Sequence, residues 1–540
     1  MVFFSFSIVV ATAILALAVF TARFRAARRI VWKLQEAKVP MPTFHPVLGH
    51  LKVLKECLQE LPKNCTVHVA MQHLSRRFPQ GVFYIDLWPF SKTLMVVGSP
   101  MVANQIENAS LSKPLEIVQP LEILSGGPSL VTMHGDVHRK WRNLFNPGFS
   151  TGYMTTLAPS IAEEVLQYCN LLSKRAKEGK MFQIEEMTLR LTFDVIGHVA
   201  LDANMNYQTR DNPLADSLRT VIYWTQFSST FNPIKRYLSP RPIVQWWHSR
   251  RMNGYLETEI EKRFDEHQKL SNKPQKNSKS VISLALDTYL SDPETFGPPS
   301  KEVFTRIAIP QLRVFMHAGH DTTASTILYS YYLLSKHPKV LAQLRTEHDE
   351  IFGPNPSPEH ISNLITENPK VVNQVPYTSA FIKEVLRYFP PSGSLREGRP
   401  DLTLVDEAGN RYPTEGCHIW TLMLVLHHNP LVWTRPTEFL PERWLVGPED
   451  PLYPVKGAWR AFEFGPRNCI GQTLALLEIR IALIMTVRKF DIVPAYEEWD
   501  ALHPSRGVRT VEGNRMYQVE MGGGGAHPAD AFPCRVSVRS

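Results

Sequence analysis

The chain opens with an uninterrupted run of uncharged, mostly apolar residues from Val2 to Phe20. Wound as a helix, this run reaches about 28 Å, close to the roughly 30 Å of a bilayer's hydrocarbon core. Further along, apolar positions recur at intervals of three and four. That period predicts helices over Ile161–Lys177, Phe182–Leu201, Tyr255–His267, Val303–Ser335 and Lys339–Phe352. Short runs rich in β-branched and aromatic residues predict strands at Val82–Leu87, Thr93–Val97, Leu402–Leu404 and His418–Leu422. The fold class expected is mainly α with small β-sheets. The pattern divides into a membrane anchor over 1–21, a basic, proline-rich linker over 22–50 and one large domain over 51–540. Pro40, Pro42, Pro46 and Gly49 should end the juxtamembrane helix, and Pro310 should start or kink its own. The proline-rich stretch Gly353–Pro376 reads as a surface excursion, and Lys269–Ser280 as an exposed connection. Met521–Ala526 reads as a glycine loop with no strand leading into it.

Charge refines this picture. Arg23, Arg25, Arg28, Arg29 and Lys33 follow the apolar run, and only the terminal amine precedes it. The positive-inside rule then places the bulk of the chain in the cytoplasm. The same asymmetry argues against a cleaved signal peptide ending at Ala16-Leu17-Ala18, because its basic residues would come first. In a cytoplasmic domain the sequons at Asn64 and Asn108 are chance matches. Apolar residues are 44% and charged residues 20% of 540 positions, enough for a large core and incompatible with disorder. The net charge of +8 fits an anionic membrane or an acidic protein partner. Nucleic acid is not expected, since no basic block is interleaved with aromatics. Cys57, Cys65, Cys169, Cys417, Cys469 and Cys534 include no C-x-x-C pair, which excludes a zinc ribbon or a thioredoxin motif.

Cys469 carries the chemistry. A loop, Phe462-Glu463-Phe464-Gly465-Pro466-Arg467-Asn468, runs into it. Leu474, Leu477, Ile481, Ile484 and Val487 then form a helical stripe. At a helix amino terminus, N–H groups and the dipole favour a thiolate, a soft metal ligand. Gly465 and Gly471 let the backbone approach a flat cofactor, Phe462 can shield the sulfur, and Arg467 can meet an anionic substituent. The segment resembles F-x-x-G-x-R-x-C-x-G, the haem-binding signature of the cytochrome P-450 superfamily. The resemblance implies the cytochrome P-450 fold, haem b as cofactor and Cys469 as axial ligand of the iron. Glu463 stands where many relatives have glycine, and should face neither the sulfur nor the propionates.

Three further segments extend the resemblance. Ala318-Gly319-His320-Asp321-Thr322-Thr323 resembles the distal-helix motif A-G-x-D/E-T. Ala318, Asp321, Thr322 and Ser325 share a helix face. Gly319 and a back-bonding Thr322 hydroxyl should loosen the helix locally into a groove for dioxygen. Asp321 and Thr322 are then the proton-delivering pair. Glu384 and Arg387 lie three apart on Thr378–Phe389, and Pro441-Glu442-Arg443-Trp444 resembles P-E-R-F. The resemblance implies a buried structural triad of Glu384, Arg387 and Arg443. Counting back from Pro147 puts His138 and Arg142 at positions that serve a haem propionate in relatives, while Trp141 is out of register. Arg396 resembles a third propionate-binding residue. His317, His320, His427 and His428 are expected in the core or at the surface, without metal.

The function expected is a membrane-anchored haem-thiolate monooxygenase, single-pass in the endoplasmic reticulum, with its catalytic domain cytoplasmic. Lacking a nucleotide fingerprint, it needs an electron donor. The resemblance implies NADPH–cytochrome P-450 reductase, with cytochrome b5 as a second candidate. Arg460, Arg480, Arg488 and Lys489 are the expected docking charges. A reductase-independent isomerase or dehydratase would typically lack the Asp321–Thr322 pair, and that pair also argues against a haem sensor. The expected substrate is lipophilic, a polyketide or terpenoid intermediate, with fatty-acid or alkane hydroxylation as the runner-up. Apolar wall residues include Leu121, Ile123, Leu124, Tyr223, Trp224, Phe227, Phe231, Val314 and Phe315, with Glu122 and Arg313 near a polar end.

Overall fold

The Lys301–Lys336 helix runs through the centre of the molecule, and the other elements are arranged about it. The structure, a computed structural model, describes residues 2–225, 239–270, 280–521 and 525–539. Ser300 caps the central helix by accepting from Val303 N–H at 3.2 Å, and Pro338 begins the next helix after His337. Pro310 neither starts nor breaks it. The proline lies buried inside, where close packing compensates for the donor it lacks.

Glu185–Leu201 packs along this helix at very close range. A Cβ added at Gly319 would come within 2.9 Å of Ile196 Cγ1, so the glycine serves helix–helix approach. Ala158–Glu178, Pro376–Tyr388 and Gln472–Val487 complete the main bundle around one continuous apolar core. The expected Phe182–Leu201 helix starts later, at Glu185. Phe182–Gln183 is instead a short strand paired with Pro533–Val538. The Gly353–Pro376 stretch also departs from expectation. It contains the helix Pro358–Glu367, whose Ile361 and Ile365 are fully buried, worth about 1.5–3 kcal/mol each.

The sheets lie at the edges. The largest has four strands in the order Val82–Ile85, Thr93–Val97, Cys417–Thr421, Ser394–Glu397. Its central pair is parallel, with Thr93 opposite Cys417, and the outer pairs are antiparallel. Near the carboxy terminus, Gln518–Met521 pairs with Gly525–Pro528, so a strand does lead into the glycine run. Residues 271–279, 522–524, Phe227 and Phe231 lie outside the described residues.

One helix, Val2–Glu36, spans both the anchor and the start of the expected linker. Among the described residues it is the one helix long and apolar enough to cross a membrane, with mean hydropathy 1.6 over an 18-residue stretch of Val10–Glu36. Its second half docks on the domain and is no free linker. Arg28 is fully buried against Asp86 and donates to the Pro46 carbonyl at 2.8 Å. Val31 and Leu34 are buried as well, and Phe20 and Phe24 pack on Trp88.

Candidate active site

The cysteine loop closes on itself. Cys469 N–H donates to the Phe462 carbonyl at 2.8 Å, and a tight turn over Gly465–Arg467 leads toward the Gln472–Val487 helix. Gly465 takes φ +75, a left-handed conformation suited to glycine. Glu463 takes φ +59 without being glycine. It is not a bystander: its Oε2 accepts from buried Arg460 at 3.3 Å. The Cys469 side chain is exposed on one side and walled by protein on the others. Desolvation by those walls raises the thiol pKa more than the Gly471 N–H and Arg142 lower it. The expected helix-terminus thiolate is therefore not a property of the loop alone.

Six cationic or titratable groups gather beside this loop. Arg142 donates to the Asn468 carbonyl and Oδ1, both at 2.7 Å, which ties the Gly135–Phe145 helix to the cysteine loop. Arg467 donates to the Met133 carbonyl at 2.8 Å. Arg396 donates to Ser394 Oγ at 2.6 Å and stands 3.6 Å from Glu107. Burial, together with Arg467 and Arg142, holds buried His138 neutral with its pKa down to about 3. Burial and the nearby Arg396 and Arg467 push Lys113 down to about 7, against the pull of Glu463 and Glu107. His134 is lowered by the same company.

Behind the loop, Glu384, Arg387 and Arg443 come together with no exposed surface. Glu384 accepts from Arg387 at 2.8 and 3.0 Å, from Arg443 Nε at 3.1 Å and from Trp444 Nε1 at 3.0 Å. Arg387 also donates to the His427 carbonyl at 2.8 Å. The His427 ring bonds the Arg387 carbonyl through Nδ1 and accepts the Arg460 N–H at 3.0 Å through Nε2. That network requires the Nδ1–H tautomer, and burial keeps the ring neutral. The triad is thus wired to the cysteine loop at Arg460.

On the central helix the expected common face divides. Ala318 is exposed and Thr322 half-buried, with Thr322 Oγ1 donating to the Ala318 carbonyl at 2.8 Å. Asp321 and Ser325 are buried. Asp321 Oδ1 lies 2.8 Å from His527 Nε2, and His527 Nδ1 lies 2.6 Å from Glu185 Oε1. Burial works against this imidazolium, yet the two carboxylates raise its pKa to about 10. Burial likewise opposes charge on Asp321, but His527 holds its carboxyl well below the usual range.

A family model for Cytochrome P450 matches residues 39–519. The chain belongs to the cytochrome P450 family. It is 37% identical to the cytochrome P450 monooxygenase polC of Polytolypa hystricis, over 97% of this chain and 94% of that one. To the monooxygenase acrF of Aspergillus aculeatus it is 32% identical, over 85% and 95% of the two chains. The heme domain of cytochrome P450DA has the same fold, with a TM-score of 0.69 at 22% identity, over 93% of this chain and 98% of that one. The protein is a P450 monooxygenase, and haem is its cofactor.

The donor set fits that cofactor. An open cysteine sulfur lies beside crowded cations, among which Glu107 and Glu463 are the main opposing charges, and a dianionic edge suits such a cluster. Lys113 and His527 were not foreseen in the sequence; His427 was expected in the core or at the surface and is buried, but its link from Arg387 to Arg460 was not foreseen. Lys113 follows Ser112 with no motif around it, and His527 reaches Asp321 only through the carboxy-terminal hairpin. The expected docking charges need correction: Arg460 and Arg488 are fully buried, paired with Glu463 and Asp349. Arg480 is half-buried on Asn373 at 2.7 Å.

Proposed function

We propose that this P450 monooxygenase oxidises a lipophilic polyketide or terpenoid intermediate at the cytoplasmic face of the endoplasmic reticulum. Electrons come from NADPH–cytochrome P-450 reductase in the same membrane. The observation that carries this reading is the exposed Cys469 sulfur set among Lys113, Arg142, Arg396 and Arg467. Cys469 ligates the haem iron; Phe462, Gly465 and Gly471 shape the loop around it. His138, Arg142, Arg396 and Arg467, joined by Lys113, hold the propionates. When bound, the haem supplies dioxygen activation and oxygen insertion.

The chain's own residues control water and protons. The Thr322 hydroxyl sits on the exposed side of the central helix and is positioned by its bond to Ala318. Asp321, ionised and clamped by His527, keeps a fixed negative charge one residue away. Glu384, Arg387 and Arg443 hold the loop without touching substrate. Exposed Arg139, on the helix whose Arg142 bonds Asn468, is a better reductase contact than the buried arginines.

The apolar amino-terminal helix supports a membrane-partitioned substrate; of the expected wall residues, Leu124, Val314 and Phe315 are buried while Ile123 and Tyr223 are exposed. Titrating purified enzyme with polyketide, terpenoid and fatty-acid panels tests this through the ferric spin-state shift. Saturable shifts with cyclic lipophiles are expected. Shifts confined to hydrophilic charged compounds would overturn it, and shifts confined to long-chain fatty acids would replace the substrate class.

A further inference from the structure

Gln311 lies seven residues before Ala318 and eleven before Thr322 on the central helix. At 3.6 residues per turn, both fall within roughly 20° of it around the helix axis. Gln311 therefore belongs to the same face as the Thr322 hydroxyl, about 10 Å before Ala318. Ala318 is exposed, yet Gln311 is fully buried, because a loop covers it. Leu130 N–H donates to Gln311 Oε1 at 2.7 Å, and Gln311 Nε2 donates to the Pro128 carbonyl at 3.3 Å.

The same loop is held from the other side by the cysteine loop. Arg467, two residues before Cys469, donates to the carbonyls of Met133 at 2.8 Å, Leu130 at 3.3 Å and Val131 at 3.4 Å. Residues 126–133 thus bridge the central helix and the cysteine loop. They form neither helix nor strand, so side chains fix them where a backbone ladder does not. At their start, a Cβ added at Gly127 would sit 3.4 Å from Pro310 Cγ, and one at Gly126 would collide with the Arg313 guanidinium. Arg313, expected near a polar end of the substrate, instead donates to the Ile123 carbonyl at 3.3 Å, in the last turn of the Leu115–Ser125 helix. Just past their end, Gly135 opens the helix that carries His138 and Arg142.

We infer that residues 126–133 are a strap that keeps haem in its site, with Gln311 as the latch on the central helix. The inference rests on the haem-site reading, in which Arg467 meets a propionate, and adds a residue that sets how long the cofactor stays. Gln311 is a positioning residue: it bonds the strap and acts on the haem through it. A segment without its own ladder opens locally once its anchors let go. Opening this one also takes three carbonyl partners from Arg467, so the strap and that propionate contact move as one unit.

The test follows haem loss from the purified full-length ferric holoenzyme to excess apomyoglobin. Q311M removes both bonds at nearly constant volume and leaves the Leu130 N–H buried without its acceptor. It should speed haem loss about tenfold or more. Q311E keeps the acceptor for Leu130 and should fall between Q311M and the wild type. Hydrogen exchange at the Leu130 amide should accelerate in the same order. Q245M is the control. Gln245 makes a comparable pair of bonds elsewhere, to the Trp224 carbonyl at 3.1 Å and Thr225 Oγ1 at 3.0 Å, and losing them should leave the haem-loss rate unchanged. An unchanged rate in Q311M would overturn the assignment, as would equal acceleration by Q245M, which marks general loosening. Faster haem loss in Q311M with unchanged exchange at Leu130 would overturn the strap as its route. Lack of a thiolate-type carbonyl band in the wild type would instead remove the haem-site reading beneath it.

Discussion

Asp321 Oδ1 and His527 Nε2 are 2.8 Å apart in the core, joining the central helix to the carboxy-terminal hairpin. Glu185 backs the imidazolium from the other side, and the Tyr329 hydroxyl bonds the His527 carbonyl at 3.1 Å. After His527, His320 and His317 also favour the Asp321 carboxylate. The folded pKa of His527, about 10, lies above its ordinary value of 6.5. Its contribution to stability is therefore complete below pH 6.5 and is lost as the pH rises toward 10. Asp321 is shifted down, so its share is lost in acid. The stability gap between wild type and His527→Gln should narrow steadily above pH 6.5. Thermal unfolding across pH checks this, and a gap independent of pH would contradict it.

Thr322 faces the open side of the helix, whereas Asp321 does not. Thr322→Ala should leave haem binding intact but raise hydrogen peroxide formed per NADPH several-fold, because a positioned hydroxyl is lost. His527→Gln should move the same ratio in the same direction by freeing Asp321. NADPH consumption measured against product and peroxide tests both, and unchanged coupling in Thr322→Ala would exclude it from proton delivery.

Glu384 neutralises two buried guanidinium groups. Glu384→Gln should cost about 3–5 kcal/mol and deplete bound haem, since Arg387 and Arg443 lose their counter-charge and the brace through His427 to Arg460 slackens. Chemical denaturation and haem content per chain report the two effects. Full stability in the variant would contradict the bracing role.

Deleting residues 1–21 removes the apolar part of the first helix and spares Arg28, Val31 and Leu34. Much of the protein should leave the membrane fraction with its unfolding temperature unchanged. Deleting 1–36 should lower that temperature, because Asp86 is left buried without Arg28. Equal stability of the two truncations would contradict the docking of the second half. Protection of the carboxy terminus inside sealed vesicles would overturn the proposed orientation.

Much of this architecture is written locally. The stripe after Cys469 and the long apolar period around Ala318 predict their helices within two residues, because capping and burial act over a few positions. Glu384, Arg387 and Arg443 were nameable because their motifs keep fixed spacing. His527 and Lys113 were not, since each meets its partners across long stretches of chain. Pattern likewise failed to show that Arg460 and Arg488 are buried, because a cation's partner is set by tertiary packing. It also failed at Pro358–Glu367, where prolines suggested a loop. There Pro358 occupies the first turn, and Ser357 caps it by accepting from His360 N–H at 3.4 Å.

The reading of this site stands on the Cys469 sulfur. The most direct measurement is the absorption spectrum of the reduced carbonyl complex in Cys469→Ser, beside single serine variants of the other five cysteines. Loss of the thiolate-type Soret band and of turnover in Cys469→Ser alone is the expected result. A normal carbonyl spectrum in Cys469→Ser would contradict it.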